Sequence, residues 1–110
     1  MTTFDKREKA LENKFFHDEE LKFKTISRRR KMLGLWAAEQ MHMEEEDSLK
    51  YAIDIVRLGI QDHQGGAVVK KIVSDIAERG LDIGEKRVRE KMGELHKIAD
   101  EHIRKHFSTK

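Results

Sequence analysis

Apolar positions recur along the chain with helix period, in runs separated by short polar or glycine-bearing breaks. Phe23, Ile26, Leu33, Ala37 and Met41 keep a three-to-four spacing, with Trp36 beside Leu33, and predict a core-facing helix. Gly34 stands inside it, where glycine costs about 1 kcal/mol relative to alanine. Leu49, Ala52, Ile53, Val56 and Ile60 predict a second helix, capped by Asp47 or Ser48 and stopped at Gly59. Ile60 to Gly66 is expected to be a loop. Val69, Ile72, Val73, Ile76 and Ala77 predict a third helix, closed by Gly80, with a strand as the rival because β-branched residues are frequent. Val88, Met92, Leu95, Ile98, Ala99 and Ile103 form the buried stripe of a last helix that starts at Gly84.

The first twenty residues differ from this pattern. Ten of them are charged. Phe4, Leu11 and Phe15 fall at i, i+7 and i+11 on one face, but Glu8 and Asp18 interrupt the stripe. Asp5 and Lys9 form a favourably oriented i,i+4 pair. The stripe then breaks over His17 to Glu20, where Asp18 is a candidate helix start. Such a segment buries too little to enforce a helix alone, so it is expected to be disordered or only loosely helical when free. The division predicted is an N-terminal segment over residues 1–18 and a helical bundle over residues 19–110.

Composition narrows the classes. Charged residues make up 40% of the 110, with a net charge of only +2, so no strong field draws the chain to nucleic acid or an anionic membrane. Proline is absent, which favours helices. Cysteine is absent, which excludes disulfides, thiolate metal sites and cysteine nucleophiles. No apolar run approaches the roughly 18 residues of a membrane span. The fold class predicted is all-α, a small four-helix bundle, in a soluble intracellular protein.

Little in the sequence carries chemistry. Neither nucleotide-binding glycine motif is present. His102 and His106, at i,i+4, are only half of a metal site, and are expected to complement a helix C-terminus instead. Arg28, Arg29, Arg30 and Lys31 are basic enough to grip phosphate, but four consecutive residues point all round a helix, and a solvated face is the expectation. Trp36 is expected in the core rather than as a stacking platform. Carboxylates are plentiful on solvated faces, where nothing separates their pKa values, so no enzymatic activity and no metal are expected. His17, at the break in the stripe, is a candidate pH sensor.

Met1 to Asp5, Arg7 to Ala10, Glu12 to Phe15, His17 to Leu21, Phe23-Lys24, Arg28-Arg29 and Leu33 to Glu39 strongly resemble the zeta subunit family, the small inhibitors of F-type ATP synthase in alphaproteobacteria. The likeness is dense over residues 1–39. Beyond Gln40 it rests on helix layout, Tyr51-Ala52, and the pattern Arg89, Lys91-Met92, Glu94-Leu95. The stretches Met41 to Met43 and Glu44 to Glu46 depart from it.

The resemblance implies a four-helix bundle whose N-terminal segment enters a catalytic interface of the ATPase head and blocks rotation of the central stalk during hydrolysis. The positions matching that segment run from Thr2 to about Asp18. Thr2, Thr3, Phe4, Asp5, Arg7, Glu8, Lys9, Leu11, Lys14 and Phe15 are the expected partner-binding residues. Phe4, Leu11 and Phe15 would fill apolar pockets, and Arg7, Lys9 and Lys14 would meet acidic groups. The resemblance also implies weak binding of ADP or ATP, with no residues attached to it. It implies a location in the cytoplasm, peripheral to the inner membrane through ATP synthase. The free chain is expected to be a monomer, with no nucleic-acid partner and no membrane insertion. A nucleotide-sensing or nucleic-acid-binding helical regulator is the alternative.

Overall fold

In a computed structural model of the chain, described for residues 3–62 and 65–107 with side chains from His17 onward, the four predicted runs are four helices. They are α1 (Thr3–Gln40), α2 (Glu45–Gln61), α3 (Gly66–Glu78) and α4 (Glu85–Phe107). The run for which a strand is the rival, α3, is helical. Helix α1 passes through His17 to Glu20 without a break, so Asp18 starts no new helix. At about 1.5 Å per residue its 38 residues reach roughly 57 Å, most of the 65 Å long axis of the molecule.

Gly34 marks the closest approach of α1 to α2. A Cβ on it would stand 2.7 Å from the Cα of Ala52 and 3.3 Å from the Cβ of Ile55. One turn earlier in α1, Arg30 lies where a Cβ on Gly59 of α2 would overlap its side chain. The two helices therefore run antiparallel and meet through small residues. Gly59 does not stop α2, which continues to Gln61; the glycine makes room for an arginine.

This contact corrects the predicted face of α2. Tyr51, Ala52, Ile55 and Gly59 are buried, whereas Leu49, Ile53 and Ile60 are exposed and Val56 is half-buried. The buried set is displaced round the helix from the aliphatic stripe. Periodicity weighs side-chain volume, but the crossing selects the positions where side chains are smallest. Phe23, Ala77 and Ile98, also expected inside, are exposed. The core is formed by Leu33, Ala37, Ala38, Met41, Tyr51, Ile55, Val68, Val69, Ile72, Ile76, Val88 and Leu95, with Trp36 and Met92 packed at its edge.

The helix ends follow local rules. The last turn of α3 closes with Gly80 at φ 76°, its N–H donating to the Ala77 carbonyl while Leu81 N–H donates to Ile76. Helix α1 ends the same way on His42, at φ 56°, with bonds from His42 to Glu39 and from Met43 to Ala38. A histidine in the left-handed region is strained where glycine is not. Helix α2 begins at Glu45, two residues before the first predicted cap, with Glu45, Glu46 and Asp47 at its positive end. The Asp62 carboxylate accepts from the Ala67 N–H and so serves the start of α3.

Tyr51, the one tyrosine, ties α2 to α3: its hydroxyl donates to Asp75 Oδ2 at 2.8 Å, and Lys71 Nζ lies 3.1 Å from the same oxygen. Burial pushes the phenol well above the usual tyrosine range, and the Asp75 carboxylate adds to it.

Gly34→Ala gains helix propensity but forces the α1–α2 crossing apart, and should lower stability by about 1–3 kcal/mol in urea unfolding. His42→Gly should raise stability by about 0.5–1 kcal/mol in the same assay by relieving the left-handed turn. The folded-state phenol of Tyr51 holds its proton more tightly than the unfolded one, so its contribution is present below the unfolded value and lost as pH rises beyond it. Ultraviolet titration of native Tyr51 should therefore show no phenolate at the roughly pH 10 where a free tyrosine ionises, and phenolate should appear only with unfolding.

Candidate functional site

The residues predicted to meet a partner lie at the beginning of α1. Thr2 lies outside the described residues. Thr3, Phe4, Asp5, Arg7, Glu8, Lys9, Leu11, Lys14 and Phe15 lie on the helical backbone of α1, with their side chains outside what is described. The boundary predicted at residue 18 falls inside the helix. His17 and Asp18, the last positions of that segment, are exposed. Glu20, one turn on from His17, is held below the usual carboxylate range, chiefly by Lys24, whose Nζ is 2.9 Å away, with a smaller effect from His17.

From Lys24 to Trp36, α1 packs on α4, which runs antiparallel to it. Lys24 Nζ sits 3.9 Å from the centre of the Phe107 ring. Thr25 is buried. Arg28 Nε donates to His102 Nδ1 at 3.1 Å, and Arg29 Nη1 lies 3.3 Å from His96 Nδ1. At the far end, Arg87 of α4 stands over the Trp36 ring at 5.9 Å. Between the two helices lies an open groove of about 680 Å³, bordered by Asp18, Glu19, Lys22, His96, Asp100 and Arg104, with Leu21, Ile26 and Ile103 supplying apolar wall.

The basic run Arg28 to Lys31 therefore divides: Arg28 and Lys31 are exposed, as a solvated face predicts, whereas Arg29 is half-buried and Arg30 buried. Arg28 and Arg29 are turned to α4, and Arg30 is buried, 6% exposed, beneath Gly59 of α2. Lys31 alone of the four has an exposed side chain without a described partner. Burial pushes the Arg29 guanidinium below its ordinary value, with Arg30 adding to it. Burial does the same to Arg30, and Asp62 opposes it. Both remain cations at neutral pH because arginine starts so high. The Nε of Arg29 is buried with no hydrogen-bond partner among the described residues.

His102 accepts a hydrogen bond from Arg28. Among the described residues no group of three or more histidine or acidic side chains is placed to hold a metal. His96 is the residue that sequence reasoning passes over. Its partner lies 67 positions away, and no local motif signals such a pair.

Among the described residues no helix is long and apolar enough to cross a membrane. The family model for ATPase inhibitor subunit zeta matches residues 1–102, a span that includes the start of α1 and most of α4. No curated protein and no solved structure matches the chain.

Replacing Arg30 by Leu should test its part in packing: the crossing loses a guanidinium that fills the space over Gly59. Stability should fall by about 1–3 kcal/mol in denaturant unfolding. Arg30→Lys should recover only part of it, because a slender stem does not fill the volume of the guanidinium.

Proposed function

The chain belongs to the ATPase inhibitor subunit zeta family, and from that premise we propose that it blocks ATP hydrolysis by F-type ATP synthase through the N-terminal part of α1. The observation that carries the reading is the length of α1. Its 38 residues outrun the 17 of α2 and the 23 of α4, so neither can flank it from end to end. The surplus lies at the beginning, because Arg30 and Gly34 meet α2 and Lys24 to Trp36 meet α4.

In this reading the bundle holds α1 by its C-terminal half and presents residues 2–18 to a catalytic interface of the ATPase head. Phe4, Leu11 and Phe15 fill apolar pockets there, and Arg7, Lys9 and Lys14 meet acidic groups. An inserted helix that reaches the central stalk stops rotation in the hydrolytic direction. Folding or firming of the segment as it binds subtracts from affinity but leaves the free chain soluble through the ten charged residues among its first twenty. The chain needs no catalytic group of its own for this. Weak binding of ADP or ATP belongs to the proposal as a regulatory ligand without assigned residues. The groove between α1 and α4 does not favour that role, since three carboxylates border it beside two cations.

The test is ATP hydrolysis by a cognate ATPase head with full-length chain and with a chain lacking residues 1–18. The truncated chain should keep the helical circular dichroism and cooperative melting of the bundle and should lose inhibition. Full inhibition by the truncated chain would move the inhibitory element elsewhere in the bundle.

A further inference from the structure

The seam between α1 and α4 joins cations to imidazoles. A guanidinium has only donors, so Nδ1 of both His96 and His102 must present a lone pair to Arg29 and Arg28. Such contacts require the neutral tautomer that carries its proton on Nε2. A second proton has no place in this geometry. It would occupy the accepting nitrogen and set two cations about 3 Å apart, with Arg30 adding to the positive charge felt by Arg29.

We propose that this seam is a proton-operated latch, in which neutral His96 and His102 hold α1 against α4 and their protonation releases residues 18–29 of α1 from α4. On α1, His96 faces Arg29, with Lys22, Asp18 and Glu19 across the groove; Glu19 is within 3.4 Å of Lys22. On its own helix Asp100, one turn on, is 2.9 Å from Arg104 and is the carboxylate that a protonated His96 would turn to, away from α1. His102 faces Arg28 from α1, and its own helix places His106 one turn on, with Glu101 and Lys105 further round. Helix α3 brings aliphatic side chains to the core, and its Lys71 and Asp75 are engaged with Tyr51 of α2. Gly34 and Arg30 continue to hold the C-terminal half of α1 to α2, a helix with no group that titrates near neutrality. The latch thus lengthens or shortens the unrestrained part of α1 without dissolving the bundle. Its link to inhibition rests on the proposed function; the latch itself does not.

Hydrogen–deuterium exchange of the full chain, corrected for intrinsic rates, reads it directly. Lowering the pH from about 7.5 to about 5.5, across the range where imidazole titrates, should speed exchange in residues 18–29 and 95–106 by roughly tenfold or more, and leave residues 34–40 unchanged. The doubly substituted His96→Gln, His102→Gln chain keeps an acceptor that takes no proton, and should lose the response. His17→Gln should retain it, which separates the seam from the exposed histidine. Unchanged exchange in residues 18–29 of the unsubstituted chain overturns the proposal, and so does an equal acceleration in the double variant. If the double variant does not fold, the unsubstituted and His17→Gln chains decide: the latch stands only if both accelerate and the His96 and His102 ring resonances titrate together with the exchange. No ATPase enters this measurement, so its result is independent of whether residues 1–18 inhibit.

Discussion

Two helix backbones can lie as close as α1 and α2 do only where one carries no side chain and the other carries a methyl group. Gly34 against Ala52 is that place, and most of the bundle's arrangement depends on it. Once the crossing is set, Ala52, Ile55 and Gly59 must face inward, Arg30 must lie over Gly59, and Leu49, Ile53 and Ile60 must turn outward. The helix-propensity cost of Gly34 is the local counterpart of this contact. Tyr51, on the inward side of the same helix, then reaches Asp75 and positions α3.

The charge excess has two destinations. Much of it sits in exposed pairs one turn apart, such as Lys50 with Glu46 and Arg89 with Glu85, which contribute little to stability and keep the surface wet. A smaller part is structural. Arg28, Arg29 and Arg30 each lie against another helix, and the first two meet imidazoles there. A partly desolvated cation such as Arg29, set against an imidazole, makes a contact that is sensitive to its electrostatic surroundings, unlike the aliphatic core beneath it.

Much of the architecture was legible in the sequence for a simple reason. Without proline, and with glycines and acidic runs between apolar stripes, the periodicity of Leu33-Ala37-Met41 or Val88-Leu95-Ala99 admits little except helices. Ala52 was legible in α2, but the rest of its face was not, because four aliphatics outweigh Gly59 in any reading by hydrophobicity. The continuity of α1 through His17 to Glu20 was hidden by a break in apolar pattern that is not a break in backbone. The family was legible from the dense likeness over residues 1–39, and the family model extends it to residue 102. The pairs Arg28 with His102 and Arg29 with His96 join residues 74 and 67 positions apart, and such pairings appear only when the helices are docked.

The unbroken course of α1 makes it a lever as well as a wall of the bundle. Its tightest fixed point is Gly34, and Thr3 lies 31 residues away, roughly 46 Å along the axis at 1.5 Å per residue. A tilt of about 5° at that fulcrum carries the tip about 4 Å, several times the shift at the α4 contacts nearer Gly34. Small adjustments where the helix is gripped are therefore magnified where it is not.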